Sequence, residues 1–179
     1  MQSFLSYLNE YLLFRNFIEV LNGLDNTLLL LVISLPIGFI LSLIFALGRV
    51  SKNKFISKPI AGYIFVIRGT PLLVQIYLIY FGLGSIEFIR ESFLWYLLRE
   101  PFWCGVVALT INTVAYGSEI FRGGIQSITK GQIESGLSLG FNKFNLLRKI
   151  VFPIALRKVL PSYGNELILM VKATSLVSL

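Results

Sequence analysis

The sequence contains no histidine and a single cysteine, Cys104. These two shortages exclude an internal disulfide, a metal site built on imidazole or thiolate, and any histidine-based general acid or base. Charge is scarce too: charged residues make up 14% of the chain, and acids are the rarer kind, nine against sixteen Lys and Arg. Hydrophobic residues reach 55%, gathered into uncharged runs that approach or exceed the ~20 residues a helix needs to cross a bilayer. The bilayer is therefore the solvent in which the chain must be read. A cleavable leader is not expected, because the first strong apolar run lacks a basic front and a small-residue cleavage site and is too long.

That run, Asn26 to Gly48, has 23 positions without a charge. The apolar regions predict spans at about 26–48, 59–84, 102–122 and 160–179, the second interrupted by Arg68-Gly69-Thr70-Pro71. Residues 1–24 read as a separate amino-terminal segment, with an amphipathic helix from Phe4 to Leu21 lying at the interface. The remainder, 25–179, reads as one transmembrane domain with a polar loop at 123–158. The aromatic run Phe93, Trp95, Tyr96, Phe102 and Trp103 reads as an interfacial belt.

Basic residues in the loops set the orientation. Arg49 to Lys58 holds Arg49, Lys52, Lys54 and Lys58 with no acid; Arg122 to Lys158 holds seven basic residues against Glu134 alone. The other loops hold only Arg15, Arg90 and Arg99. The two basic loops are expected in the cytoplasm and the amino terminus outside. Four spans would then leave the carboxyl terminus outside, without a polar flank, so a truncated bundle is expected. Placing the positive charge in loops, rather than on a helix face with interleaved aromatics, speaks against nucleic acid as a partner.

The loop has its own pattern. Thr129-Lys130-Gly131-Gln132 has the spacing of a capping box, Gly140 suits a left-handed helix end, and Asn142 can cap a second helix. In that helix Phe144, Leu147, Ile150, Val151 and Ile154 recur at helical spacing. Pro153 and Pro161 are expected to bend the chain back toward the bilayer. The product is a bent two-helix element that either offers an apolar knob to a partner or is a plain solvated connector.

Glu134-Ser135-Gly136, then Gly140, then Ile150-Val151-Phe152-Pro153, resembles the EAA motif of ABC importer permeases, with small residues in place of the two alanines and Phe152 in place of leucine. Three further strings, Phe65 to Gln75, Glu119 to Ser127 and Lys172 to Ser178, resemble the polar amino acid branch of these permeases. The resemblance covers roughly residues 15 to 179. It implies an all-α, multi-span bundle of the type I importer kind, in which Glu134, Ser135, Gly136, Gly140, Ile150 and Pro153 belong to a coupling loop seated in a cytoplasmic ATP-binding subunit. It also implies a second permease subunit, identical or related, an external solute-binding protein, and one further span beyond residue 179. The cargo would be a polar amino acid, glutamine-like first among them, and the location a bacterial inner membrane. ATP and Mg would be used by the partner ATPase, so this chain would bind no cofactor and perform no chemistry. A remnant that docks an ATPase without transporting is the alternative.

Charges inside spans are costly and line pathways or pair with one another. Arg68, Glu119 and Lys172 are such charges, and Glu166 joins them if the fourth span starts early. Asn112, Tyr116 and Glu119 share one helical face. Asn165, Leu169, Lys172 and Leu176 form a second stripe, flanked by Thr174 and Ser175. Facing one another, the stripes would make a chamber in which Glu119 accepts an ammonium group and Lys172 meets a carboxylate. Structural pairing of Glu119 with Lys172 or Arg68 is one competing reading, and an ordinary surface ion pair of Glu119 with Arg122 near the cytoplasmic end is another. Arg68, Gly69, Thr70 and Pro71 read either as a hinge or gate, or as an interfacial bend with a snorkelling arginine.

Overall fold

The computed structural model describes residues 2–177, with side chains from Gly23 onward. The described elements are all helical: α1 (Gln2–Val50), α2 (Lys54–Gly69), α3 (Leu72–Tyr77), a π-helical turn (Leu78–Gly82) leading into α4 (Leu83–Ser85), α5 (Glu87–Arg90), α6 (Leu94–Leu98) and α7 (Pro101–Gln126). Then come α8 (Lys130–Ser138), α9 (Lys143–Leu146), a second π-helical turn (Leu147–Val151), α10 (Phe152–Ala173) and a 3-10 turn at Thr174–Leu176.

Two helical stretches, Gly23–Val50 and Pro101–Gln126, are long and apolar enough to cross a membrane. The pair Lys54–Gly69 and Leu72–Ser85 passes the same test jointly, bent by 108° at its break. The fourth expected span, 160–179, begins inside α10 and runs past its end; α10 carries Arg157, Lys158, Glu166 and Lys172 and is not among the stretches that qualify among the described residues. The expected amino-terminal segment is not set off from the first span: α1 runs without interruption from Gln2, and 49 residues at helical rise make ~74 Å, more than twice the ~30 Å hydrocarbon core. Whether Phe4 to Leu21 has an apolar face lies outside the described side chains.

Helices α1 and α7 lie side by side in parallel. A Cβ on Gly38 would meet Thr113, one on Gly117 would meet Ser42, and one on Gly105 would touch Leu30, so partners keep a constant offset of about 75 residues along both helices. Small residues at four-residue spacing on α1, namely Gly38, Ser42 and Ala46, let the backbones approach, which is how helices associate where lipid offers no hydrophobic drive. The Ser42 hydroxyl donates to the Thr113 carbonyl at 3.1 Å across this seam. Antiparallel to α7 runs α10: Gly105 faces Val177, Gly117 faces Tyr163, and Gly124 faces Val159 and Ala155. Phe39, Phe121 and Tyr163 close the centre with ring centroids 5.3 to 5.5 Å apart.

The chain turns from α1 to α2 through Asn53, whose side chain accepts from the Phe55 amide at 3.0 Å. Arg49 locks the corner: its Nη1 donates to the Ser57 hydroxyl, which in turn donates to the Arg49 carbonyl. Tyr63 then ties α2 to α7, donating to the Ile111 carbonyl at 2.6 Å.

Candidate functional site

The break between α2 and α3 follows from its residues. A residue before proline is pushed out of the helical region, and Thr70 is extended at φ −115°, ψ 142°, with Pro71 starting the next helix. Breaking a helix at membrane depth frees carbonyls that must find donors. Gln75 supplies them: its buried side-chain amide donates to the Ile67 carbonyl at 2.7 Å and to the Thr70 carbonyl and hydroxyl at 3.1 and 2.9 Å. Its remaining oxygen accepts from Asn112 Nδ2 at 3.1 Å. The break is thereby pinned to the middle of α7. Arg68 and Gly69 are exposed at its lip.

Beside the break is a cavity of about 240 Å³ lined by Thr70, Pro71, Asn112, Tyr116, Glu166 and Met170, among others. Glu166 and Asn112 are both 7% exposed, so a buried carboxylate and a buried carboxamide line the same cavity, whose rim includes the exposed Pro71 and Leu169. The structure thus brings Asn112, Tyr116, Thr70 and Pro71 together, as the sequence reading grouped them in two separate sets.

The other members fall elsewhere. Glu119 is held by Arg122, whose Nε donates to both carboxylate oxygens at 2.9 Å and whose Nη2 donates to Oε2 at 2.6 Å. Arg49 Nε lies 3.8 Å from the same carboxylate. Asn165 and Lys172 are exposed and do not line the cavity. Given the antiparallel pairing, Glu119 is level with Tyr163 and Gly164, nine residues from Lys172, or ~13 Å along the axis. The expected Glu119–Lys172 chamber and the expected Glu119–Lys172 pairing are both corrected by this geometry. The reason is that α10 buries Ala155, Val159, Tyr163, Glu166 and Met170 against its neighbours, which turns Glu166 inward in place of Asn165 and Lys172. Thr174 is buried, with its hydroxyl on the Val171 carbonyl, and the Ser175 hydroxyl donates to the Lys172 carbonyl.

Gln75 was missed as a site residue, and Glu166 was named only as a further charge within the fourth span. Gln75 stood only inside a longer string, and its role depends on a helix bend no periodicity reveals. Glu166 was legible in the 155-159-163-166-170 spacing, which is helical and matches a packed face.

A second structural unit lies at the Arg49 and Gln126 ends of α1 and α7. Helix α8 opens with the full capping box, Thr129 Oγ1 accepting from the Gln132 amide and the Gln132 side chain accepting from the Thr129 amide. It closes at Gly140, the single described residue of positive φ, at 77°. Phe141 N donates to the Gly136 carbonyl and Gly140 N to the Leu137 carbonyl, the two bonds of a Schellman ending. Asn142 Oδ1 then caps α9 through the Asn145 amide at 2.8 Å.

Gly136 is buried, and a Cβ there would come within 2.5 Å of Ile150 Cδ1 and Leu146 Cδ1. Its small size therefore brings α8 onto the second helix. Glu134 and Ser135 stay exposed, beside Leu137, Leu139 and Phe144, which are 52%, 73% and 67% exposed. Pro153 sits in the first turn of α10, after the π-helical turn, in which the Phe152 amide reaches back to the Leu147 carbonyl. That wider turn absorbs the local disruption a proline brings to the preceding helix. Pro161 likewise lies inside α10. Lys158 Nζ donates to the Ser127 carbonyl at 2.9 Å, joining the root of α10 to the end of α7.

Residues 13–179 match the family described as binding-protein-dependent transport system inner membrane component. The chain is 49% identical over 168 residues to the nopaline transport system permease protein NocM of Agrobacterium fabrum, covering 93% of this chain and 70% of that protein. It is 48% identical to the octopine transport system permease protein OccM of Rhizobium radiobacter, covering 93% and 68%, and 45% identical to the histidine/lysine/arginine/ornithine transport system permease protein HisM of Escherichia coli K12, covering 86% and 65%. A solved structure described as an amino acid ABC transporter with histidines superposes with a TM-score of 0.79 at 38% identity, covering 93% of this chain and 73% of the other.

Proposed function

The chain belongs to the family of binding-protein-dependent transport system inner membrane components, and from that footing we propose that it carries an amino acid with a cationic group through the cavity at the α2–α3 break, driven by an ATPase docked on α8. The observation that carries this reading is a buried carboxylate, Glu166, and a buried carboxamide, Asn112, lining one cavity, with Asn112 held from behind by Gln75. An amino acid needs an acceptor for its ammonium group, and a shielded carboxylate is a strong one. Glu166 takes the part first assigned to Glu119. The names of the relatives, nopaline, octopine, arginine and histidine/lysine/arginine/ornithine systems, favour a basic cargo over glutamine.

On this reading the amino terminus is outside and the Arg49 and Gln126 ends face the cytoplasm of a bacterium, across its inner membrane. A second permease subunit completes the pathway, and an external binding protein delivers the cargo. The exposed Glu134, Ser135, Leu137 and Phe144 meet a groove of the ATP-binding subunit, which uses ATP and Mg. Gly69, Thr70 and Pro71 form the hinge at which the pathway opens and closes.

Reconstituting the importer with its ATPase and binding protein in vesicles tests the cavity. Glu166→Gln keeps the shape and removes the charge, so arginine uptake should fall about tenfold or more, since one charge-assisted bond contributes ~1.5–3 kcal/mol. Full uptake by a properly inserted Glu166→Gln permease would remove the cavity from the pathway.

A further inference from the structure

A second cavity lies on the other side of Tyr116. About 670 Å³ in volume and open, it is lined by Arg49, Gly62, Phe65, Arg68, Tyr116 and Glu119, among others. Tyr116 lines both cavities, and the Arg68 guanidinium stacks on its ring at 5.1 Å from the centroid. One stacked pair is thus the partition between the shielded cavity and the open one.

The open cavity has an excess of positive charge. Its single carboxylate, Glu119, is committed to Arg122 by three hydrogen bonds. Arg49 Nε, buried and without a hydrogen bond, lies 3.8 Å from the same carboxylate, while its Nη1 reaches Ser57. The Arg68 guanidinium stacks on an aromatic face and makes no hydrogen-bonded ion pair among the described residues, though it lies within electrostatic reach of Glu119 and Glu166. Three guanidinium groups share one carboxylate, a formal excess of two positive charges, and the buried Arg49 Nε has no hydrogen-bond acceptor among the described residues, which is costly. The chemistry that relieves both is an oxyanion with at least two acceptor oxygens, for which guanidinium is the matched donor.

Resting on the cavity assignment above, we infer that Arg49 and Arg68 form a second station on the path, an oxyanion site that takes the carboxylate of the amino acid after it passes the Tyr116–Arg68 partition. The shielded cavity holds the ammonium end on Glu166, and the open one then draws the carboxylate end onward. A phosphate of an anionic lipid headgroup offers the same chemistry and is the other source the test must separate.

The complete permease assembly with its ATPase is placed in nanodiscs of phosphatidylcholine, without ATP, and titrated with radiolabelled arginine. The expected result is two classes of bound arginine. Arg49→Gln weakens one class about tenfold or more, Arg49→Lys restores part of it, and Glu166→Gln weakens only the other. In nanodiscs containing phosphatidylglycerol, lipid retained by the wild type and released by Arg49→Gln, with a single arginine class throughout, assigns the oxyanion site to the headgroup. A single arginine class unaffected by Arg49→Gln, with no retained phosphatidylglycerol, overturns the inference. Loss of all arginine binding in Glu166→Gln with Arg49-dependent lipid retention would instead leave the oxyanion site standing and confine the cargo to the shielded cavity.

Discussion

Asn112 donates to the Gln75 side-chain oxygen at 3.1 Å, and through that bond a broken helix is fastened to an unbroken one. Gln75 spends its amide on the carbonyls of Ile67 and Thr70 and on the Thr70 hydroxyl, so a single side chain satisfies the acceptors released by the break and fixes the break against α7.

Gln75→Leu should destabilise the permease by about 2–3 kcal/mol, because it leaves several buried acceptors without a donor. Asn112→Ala should cost about 1 kcal/mol less, since it orphans only the Gln75 oxygen. Thermal unfolding of the detergent-solubilised permease measures both. Equal losses would show that the break is held by something other than this bond.

Adjacent glycines at the end of α7 should respond with opposite sign. A Cβ on Gly123 meets nothing within 4 Å, whereas one on Gly124 would lie 2.3 Å from Val159 Cγ2 and 3.1 Å from the Ala155 carbonyl oxygen. Gly123→Ala should stabilise by about 0.5–1 kcal/mol through helix propensity. Gly124→Ala should destabilise by about 1–3 kcal/mol, because a backbone atom cannot step aside. The same melting experiment reads both.

Gly140 holds φ at 77°, a value proline cannot reach. Gly140→Pro should open the corner between α8 and α9, and Glu134→Lys should reverse the charge on the exposed face of α8. Each should uncouple ATP hydrolysis by the partner from uptake while the permease still inserts. Uptake and hydrolysis measured together in vesicles decide this, and unchanged uptake in both variants would sink the docking role of α8.

Glu119 and Arg122 are neighbours on one helix, with side chains 17% and 28% exposed. Arg122→Gln should leave Glu119 facing Arg49 at 3.8 Å, and the pair should re-form there. The expected loss is therefore small, about 0.5–1 kcal/mol after allowing for solvent. Adding Arg49→Gln should cost more than the sum of the single changes. Additive losses in the double-mutant cycle would mean that Arg49 does not serve as the reserve partner.

Local chemistry made much of this molecule legible. Thr129, Gln132, Gly140 and Asn142 announce their roles within a few residues of themselves, and Gly69-Thr70-Pro71 announces a break. The polar chamber was legible only in part, because a face is chosen by packing. Asn165, Leu169 and Lys172 recur at helical spacing as well as Tyr163, Glu166 and Met170 do. Packing of Tyr163 on Gly117 and of Met170 in the cluster with Val106 and Leu109 turns the second set inward. Gln75 was illegible for a related reason: its partners exist only once the helix has bent by 108°.

The bond from Lys158 to the Ser127 carbonyl spans 31 residues of sequence. It shuts the neck of the segment that holds α8 and α9, so that segment cannot swing freely on two loose strands. On the docking proposed for α8, a push would pass through the packed Gly136–Ile150 contact and the π-helical turn into α10, and so toward Glu166, as along a crank with one fixed bearing. Cutting the neck with Lys158→Ala should leave α8 as well formed as before and its stroke shorter.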